Sequence, residues 1–198
     1  MGRDDDNPEQ VRAANWSTND PDDNLQGGKV QLETARMPNL TYLSLGSNVG
    51  ERDKNLQEAI HRLKTLGSVL SVSSFYETEP VEFTEQPWFL NCAVALETSQ
   101  PASQLMSGIL EIEHEMGRLR VQKKGPRSID IDILLFGDEI VNTPDLTIPH
   151  PAMAERRFVL EPLAEIADRT RHPALRKTIG ELLHDLPAGQ TVRKIKTG

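Results

Sequence analysis

The strictest hydrophobic pattern in this chain runs from residue 129 to 133, where Ile129, Ile131 and Ile133 alternate with Asp130 and Asp132. A period of two belongs to a β-strand with one face in a core and the other on a polar space, so the two carboxylates are expected to project together, about 6 to 7 Å apart. Upstream, the pattern predicts a strand over 40–45, a turn of small residues from Gly46 to Gly50, and a helix. That helix carries Leu56, Ile60, Leu63 and Leu66 on one face and is stopped by Gly67. Residues 69–76 alternate as a second strand, and 77–87, rich in prolines, acids and amides, read as a surface loop. In the strand expected over 88–98, Leu90, Cys92, Val94 and Leu96 share an apolar face, which puts Phe89 and Asn91 together on the other. Ser99 and Pro101 open a helix whose Leu105, Ile109, Ile112 and Met116 form one stripe, with Glu113 off it. Beyond the Asp-x-Asp strand, 142–151 is a long connection with room for a short edge strand at 146–148. Thr178 and Glu181 make a capping box for a short helix through Leu183.

Composition sets the outer limits. A chain of 198 residues with 37% hydrophobic content supports one domain with a substantial core. Its apolar runs are far shorter than a membrane span, and its first residues are acidic and polar, so a cytoplasmic protein without a membrane partner is expected. Cys92 is the only cysteine, which excludes an internal disulfide and a thiolate metal cluster. The first 38 residues hold eight acids and four bases, a net charge of −4 out of −8 for the whole chain, with scarcely an apolar side chain. They are expected to form a disordered acidic extension, and residues 39–198 a single domain. The acidic balance argues against a nucleic-acid partner, and a monomer is the expected state.

Against that acidic background one local reversal changes the picture. Arg118, Arg120, Lys123, Lys124 and Arg127 place five cations within ten residues, directly before the paired aspartates. An Asp-x-Asp on a strand is more often a solvated acidic face than a metal site. Beside a cation cluster, however, it has what a polyphosphate bound through Mg²⁺ requires, since Mg²⁺ takes oxygen ligands and shares them with substrate phosphates. The Gly46 to Gly50 turn lacks the spacing and the Lys-Ser/Thr of a P-loop. Phe89 beside Asn91 offers a flat ring next to an amide, a way to stack on a heteroaromatic ligand and read its edge, though an ordinary packing pair is the commoner case. His150 lies within a few residues of Arg156 and Arg157.

Gly46-Ser47-Asn48, the blocks from Tyr76-Glu77-Thr78 to Phe89-Leu90-Asn91 and from Gly125-Pro126-Arg127 to Leu134, and Pro149-His150 with Arg156 and Phe158 occur in this order without large gaps. Over about residues 39–186 this set resembles the 6-hydroxymethyl-7,8-dihydropterin pyrophosphokinases of folate biosynthesis. The resemblance implies an α+β fold, a ferredoxin-like sandwich of an antiparallel sheet with helices packed on it. It also implies transfer of a diphosphoryl group from the co-substrate ATP to the pterin hydroxymethyl group, releasing AMP. By the same resemblance Asp130 and Asp132 hold two Mg²⁺ ions and, with Arg118 and Arg127, form the catalytic set. Arg118, Arg120, Lys124, Arg127, His150 and Arg156 hold the nucleotide's phosphates, Glu113, Ile133 and Thr147 line the rest of the ATP site, and Thr78, Val81, Phe89, Asn91 and Phe158 form the pterin pocket. Lys123-Lys124 departs from the Arg-Trp of some members, in a loop one residue shorter. Two other classes fit part of the pattern. A ferredoxin-like regulatory or RNA-binding module would not require the Asp-x-Asp, and a metal-dependent hydrolase or nucleotidyltransferase would leave Phe89, Asn91 and Phe158 idle.

Overall fold

The computed structural model describes residues 37–81, 85–118 and 125–195. The acidic extension, apart from Met37 and Pro38, lies outside the described residues, as do Arg120, Lys123 and Lys124 of the basic run.

The first half follows the expected order. Strand β1 (Asn39–Ser47) leads into helix α1 (Arg52–Leu63), then β2 (Ser68–Val72), β3 (Tyr76–Thr78), β4 (Phe89–Thr98), α2 (Ala102–Glu115) and β5 (Asp130–Phe136). Every pairing among the described strands is antiparallel, and the main sheet runs β5-β1-β4-β3-β8, where β8 is Val192–Lys194, with β2 beside the far half of β4. With the edge made by β2 and β3 counted as one, this is the four-strand order of a ferredoxin-like α+β sandwich. Helices α1 and α2 bury their apolar stripes on one sheet face, where Leu56, Leu63, Leu105 and Ile109 pack on Leu43, Leu45, Leu90, Val94, Ile131 and Ile133.

Three features depart from the sequence reading. The strand expected over 69–76 is two strands. Val72 pairs with Val94 but Tyr76 pairs with Asn91, so four steps on one side meet three on the other, and the extra residue interrupts the ladder as a bulge does. At that break the Ser73 hydroxyl accepts from Ala93 N (2.9 Å) and Ser73 N donates to Ala93 O (2.9 Å), so the backbone groups remain satisfied. Second, the sheet is covered on both faces. Helix α3 (Arg157–Ala167) and the capping-box helix α4 (Ile179–Asp185) build a second core from Val159, Leu160, Leu163, Ile179 and Leu182 against Tyr42, Ala93, Ala95, Leu134 and Leu135. Third, residues near the C-terminus add the strand β8 (Val192–Lys194) beside β3. Between these elements Val141–Asn142 (β6) and Thr147–Ile148 (β7) form a two-stranded ribbon, the latter at the edge position expected for 146–148, and Met153–Glu155 is a turn of 3₁₀-helix.

Strand β5 joins the two cores. Ile129, Ile131 and Ile133 face the α1/α2 side, as their alternation requires. The register with β1 then slips between Ile133 and Leu135, a bulge at Leu134, so Leu134 and Leu135 both pack under α3. The face that carries Asp130 and Asp132 at one end is therefore apolar at the other.

Candidate active site

Cross-strand register assembles the polar end of that face. Gly46 on β1 pairs with Asn91 on β4 and with Asp130 on β5, and Ser44 pairs with Ala93 and Asp132. Asn91, Gly46 and Asp130 thus form one row across three strands, in which the outer two are roughly 10 Å apart. Gly46 holds this row open, because a Cβ there would lie 2.6 Å from Asn91 Oδ1 and 3.8 Å from Phe89 Cδ1.

On the β5 side, Asp130 is bound by two guanidinium groups, Arg118 Nη2 at 2.5 Å and Arg127 Nη1 at 2.8 Å. Arg118 also pairs with Glu113, whose carboxylate is only 2% exposed and accepts from Ile131 N at 2.8 Å. Glu113 lies in the last turn of α2, so it ties that helix to the carboxylate strand. Burial nevertheless raises its pKa, against the lowering influence of Arg118 and the Ile131 amide. Burial, and then the neighbouring carboxylates Asp130 and Glu113, push Asp132 up to about 7. Asp130 and Asp132 on one face, with Glu113 beside them, set three acids against the two guanidinium groups of Arg118 and Arg127. No cluster of three or more His, Cys, Asp or Glu suited to a metal ion occurs among the described residues. A pair of hard carboxylates fits Mg²⁺, which is held by one or two carboxylates together with substrate phosphates, and does not fit an ion that needs a complete protein cage.

Arg127 carries a second signal. Its Nε is buried with no hydrogen-bond partner among the described residues, while its guanidinium lies 5.4 Å from the centre of the Phe89 ring. An unmatched cationic donor of this kind suits an incoming anion. Asn48 fixes the backbone of Arg127: its Oδ1 accepts from Arg127 N at 2.8 Å, its own N donates to Arg127 O at 3.2 Å, and its amide holds Gln86 Oε1 and Pro87 O. This buried bracing role of Asn48 escaped the sequence reading, which took Gly46-Ser47-Asn48 as a turn and as part of the motif set behind the resemblance and gave Asn48 no role. The available signal was a run of small residues at a strand end with a side chain able to both donate and accept.

On the β4 side Asn91 is 3% exposed, and its Nδ2 donates to Thr78 Oγ1 at 2.7 Å, so Thr78, Asn91 and Phe89 form one corner. Val81 stands apart from this corner, 53% exposed on the loop that follows. Phe158, the second residue of α3, has the Arg156 guanidinium 5.7 Å from its ring centre. His150 is tied to β5 through its N–H on Leu134 O (3.0 Å), and its Nδ1 accepts from Ala152 N at 3.2 Å. Burial, and next the charge of Arg156, lowers the pKa of His150. Thr147 is exposed at the start of β7. The side chain of Ile133 is in the α1/α2 core, away from the carboxylate face. The site thus brings together Glu113, Arg118, Arg127, Asp130, Asp132 and Phe89, and couples Asn91 to Thr78 and Arg156 to Phe158.

The chain is 45% identical over 140 residues to the 2-amino-4-hydroxy-6-hydroxymethyldihydropteridine pyrophosphokinase of Bacillus subtilis (strain 168), which covers 70% of this chain and 84% of that protein. The enzyme of the same name from Aquifex aeolicus is 41% identical over 140 residues, 71% of this chain and 88% of that one. The Folic acid synthesis protein FOL1 of Dictyostelium discoideum is 40% identical over 157 residues, 79% of this chain, which spans only 24% of that longer protein. A crystal structure of Plasmodium falciparum HPPK-DHPS shares the fold, with a TM-score of 0.63 at 17% identity over 77% of this chain and 46% of that one. The family model described as 7,8-dihydro-6-hydroxymethylpterin-pyrophosphokinase matches residues 42–168, a span that includes Gly46, Asn91 and Asp130 of the row and the whole of α3. The chain belongs to the 7,8-dihydro-6-hydroxymethylpterin-pyrophosphokinase family.

Proposed function

We infer that this chain transfers the diphosphoryl group of ATP to the hydroxymethyl group of 6-hydroxymethyl-7,8-dihydropterin, giving the pterin diphosphate and AMP, a step of folate biosynthesis. The observation that carries the reading is the row Asn91, Gly46, Asp130, which sets an aromatic and amide corner beside a carboxylate and arginine corner on one sheet face. A hydrolase or nucleotidyltransferase would need only the second corner.

In the reaction the pterin hydroxyl oxygen attacks the β-phosphorus of ATP, its O–P bond forms, and the bond from that phosphorus to the bridging oxygen of the α-phosphate breaks, leaving AMP. Phosphoryl transfer asks the protein mainly for positioning and charge neutralisation. Asp130 and Asp132 would hold two Mg²⁺ ions, which when bound neutralise and align the phosphates. In the ligand-free geometry Arg118 and Arg127 occupy Asp130; with nucleotide bound, their donors, including the unmatched Arg127 Nε, turn to phosphate oxygens. Arg120, Lys124, His150 and Arg156 contribute further cationic or donor groups, and Glu113 and Thr147 border the nucleotide, which Ile133 reaches only through its backbone because its side chain lies in the α1/α2 core. Phe89 and Phe158 sandwich the pterin ring, Asn91 reads its amide edge, Thr78 completes that corner, and Val81, exposed on the loop after β3, borders its rim. Asp132, which accepts no hydrogen bond from the described residues, receives the hydroxyl proton.

None of the described helices is long and apolar enough to cross a membrane. A monomer working in the cytoplasm agrees with that and with the acidic composition. The test is incubation with ATP, Mg²⁺ and the reduced pterin. AMP that forms only when the pterin is present supports the reading, and AMP or ADP formed at the same rate without it would refute the reading.

A further inference from the structure

We propose that residues 188–195 complete the pterin pocket of this chain, with Gln190 as the positioning residue that sets Phe158. The inference rests on the assignment of Phe158 and Thr78 to that pocket. The first N–H groups of a helix have no partner within it, and the side chain of the α3 N-cap, Arg156, which holds no acceptor, does not cap them. Phe158 N instead donates to Gln190 Oε1 at 3.2 Å, a cap delivered from 32 residues away. A second tie runs beside it, from Arg157 Nη2 to Leu186 O at 3.2 Å.

The same segment also grips the other side of the pocket. Val192 pairs with Thr78, the residue that accepts the Asn91 amide. Next to Gln190, Thr191 N donates to Glu79 Oε1 at 2.8 Å and Glu79 N to Thr191 O at 3.4 Å. Gln190 is therefore anchored on the β3 side and caps α3 on the other, so it spans the gap between the two. Its Nε2 is buried without a partner among the described residues, a donor left at this edge. The match to the family ends at residue 168, before any of this segment. A stacked ring gains from a fixed plane, and a Phe at the second position of a helix has that plane set by how the first turn is held.

The experiment compares Gln190→Met, which keeps the length and loses the acceptor, with Gln190→Glu, which keeps an acceptor that a helix N-terminus favours. Each is made alone and in a Phe158→Ala background, with KM for pterin, KM for ATP, kcat and thermal midpoint measured. The expected result is a rise of about 3- to 10-fold in pterin KM for Gln190→Met, with ATP KM and kcat within about twofold, and near-normal pterin KM for Gln190→Glu. In the Phe158→Ala background Gln190→Met should add less than about twofold, because the ring it positions is gone. An unchanged pterin KM in Gln190→Met, or equal losses in the Met and Glu variants, would overturn the proposal. So would a parallel rise in both KM values together with a lower thermal midpoint, which would mark a merely structural residue. If Phe158→Ala itself leaves pterin KM unaltered, the pocket assignment falls and this inference falls with it.

Discussion

Replacing Gly46 with alanine tests the row that organises the site. The added Cβ would sit 2.6 Å from Asn91 Oδ1, about 0.8 Å inside ordinary contact, while no atom of Asp130 comes nearer than the 3.8 Å of the Phe89 contact. Asn91 is buried and hydrogen-bonded to Thr78, so it has two ways to respond. It can stay and force β1 and β4 apart, at an overpacking cost of about 1–3 kcal/mol. Or it can turn, break its bond to Thr78 and leave buried polar groups unmatched, at about 1–3 kcal/mol. Either response lowers the thermal midpoint by roughly 2–10 °C for a domain of this size. Both displace the amide from the pterin edge, so pterin affinity should fall about 10- to 100-fold. Affinity for a Mg²⁺-bound, non-hydrolysable ATP analogue should stay within about twofold, since Arg118, Arg127 and Asp130 lie on the far side of the glycine. Calorimetric titration with each ligand and a thermal melt decide the matter. Unchanged pterin affinity, or an equal loss of nucleotide affinity, would refute the reasoning.

Three further outcomes are expected. Asp130→Ala and Asp132→Ala each abolish turnover while the melting transition survives, because both carboxylates face the site and not a core; near-normal rates in either variant at saturating Mg²⁺ would remove the metal-site assignment. The Mg²⁺-bound ATP analogue should tighten pterin binding about 5- to 150-fold by calorimetry, since the two candidate sandwich rings each lie under an arginine of the phosphate set, and Arg156→Ala should weaken this enhancement more than pterin binding alone; equal affinity with and without nucleotide would sink the coupling. His150, held neutral first by burial and then by Arg156, should take up its proton only below the usual histidine range in the ligand-free protein, so on this group's account stability is lost as pH falls below about 6.5, where the unfolded chain protonates and the folded one does not; an NMR titration midpoint above 6.5 would contradict this.

The alternating segments were legible because a one-sided period of two leaves few choices. Ile129 to Ile133 and Leu90 to Leu96 lie on the face their pattern requires, and the helices through Leu56 and Leu105 pack there too. What escaped was the core on the second face of the sheet. Ala93, Ala95 and Tyr42 are small or amphipathic and did not mark a core. The Val159, Leu160 and Leu163 stripe of α3 was obscured by two arginines at its start and Pro162 within it. The aspartates and the cation cluster could be read locally, but the row through Gly46 could not. A glycine contributes to that site by what it lacks, and only the register of three strands shows what stands on either side. Gln190 was equally invisible, since its partner lies 32 residues away and nothing around it is periodic.

Strand β5 ends the sheet, so one of its edges faces no other strand of that sheet. An open edge is a template on which a strand from another molecule can pair. Here the edge is closed at two points, by Glu113, which takes the Ile131 N–H, and by the backbone of His150, which takes the Leu134 carbonyl. Both residues belong to the set assigned to the nucleotide, so the groups that border ATP also keep the carboxylate strand from recruiting a neighbour. Colloidal behaviour and chemistry are therefore linked in this enzyme. A Glu113 variant that precipitates or elutes as large particles has exposed a sheet edge, and its lost activity is then no measure of what Glu113 does for the nucleotide.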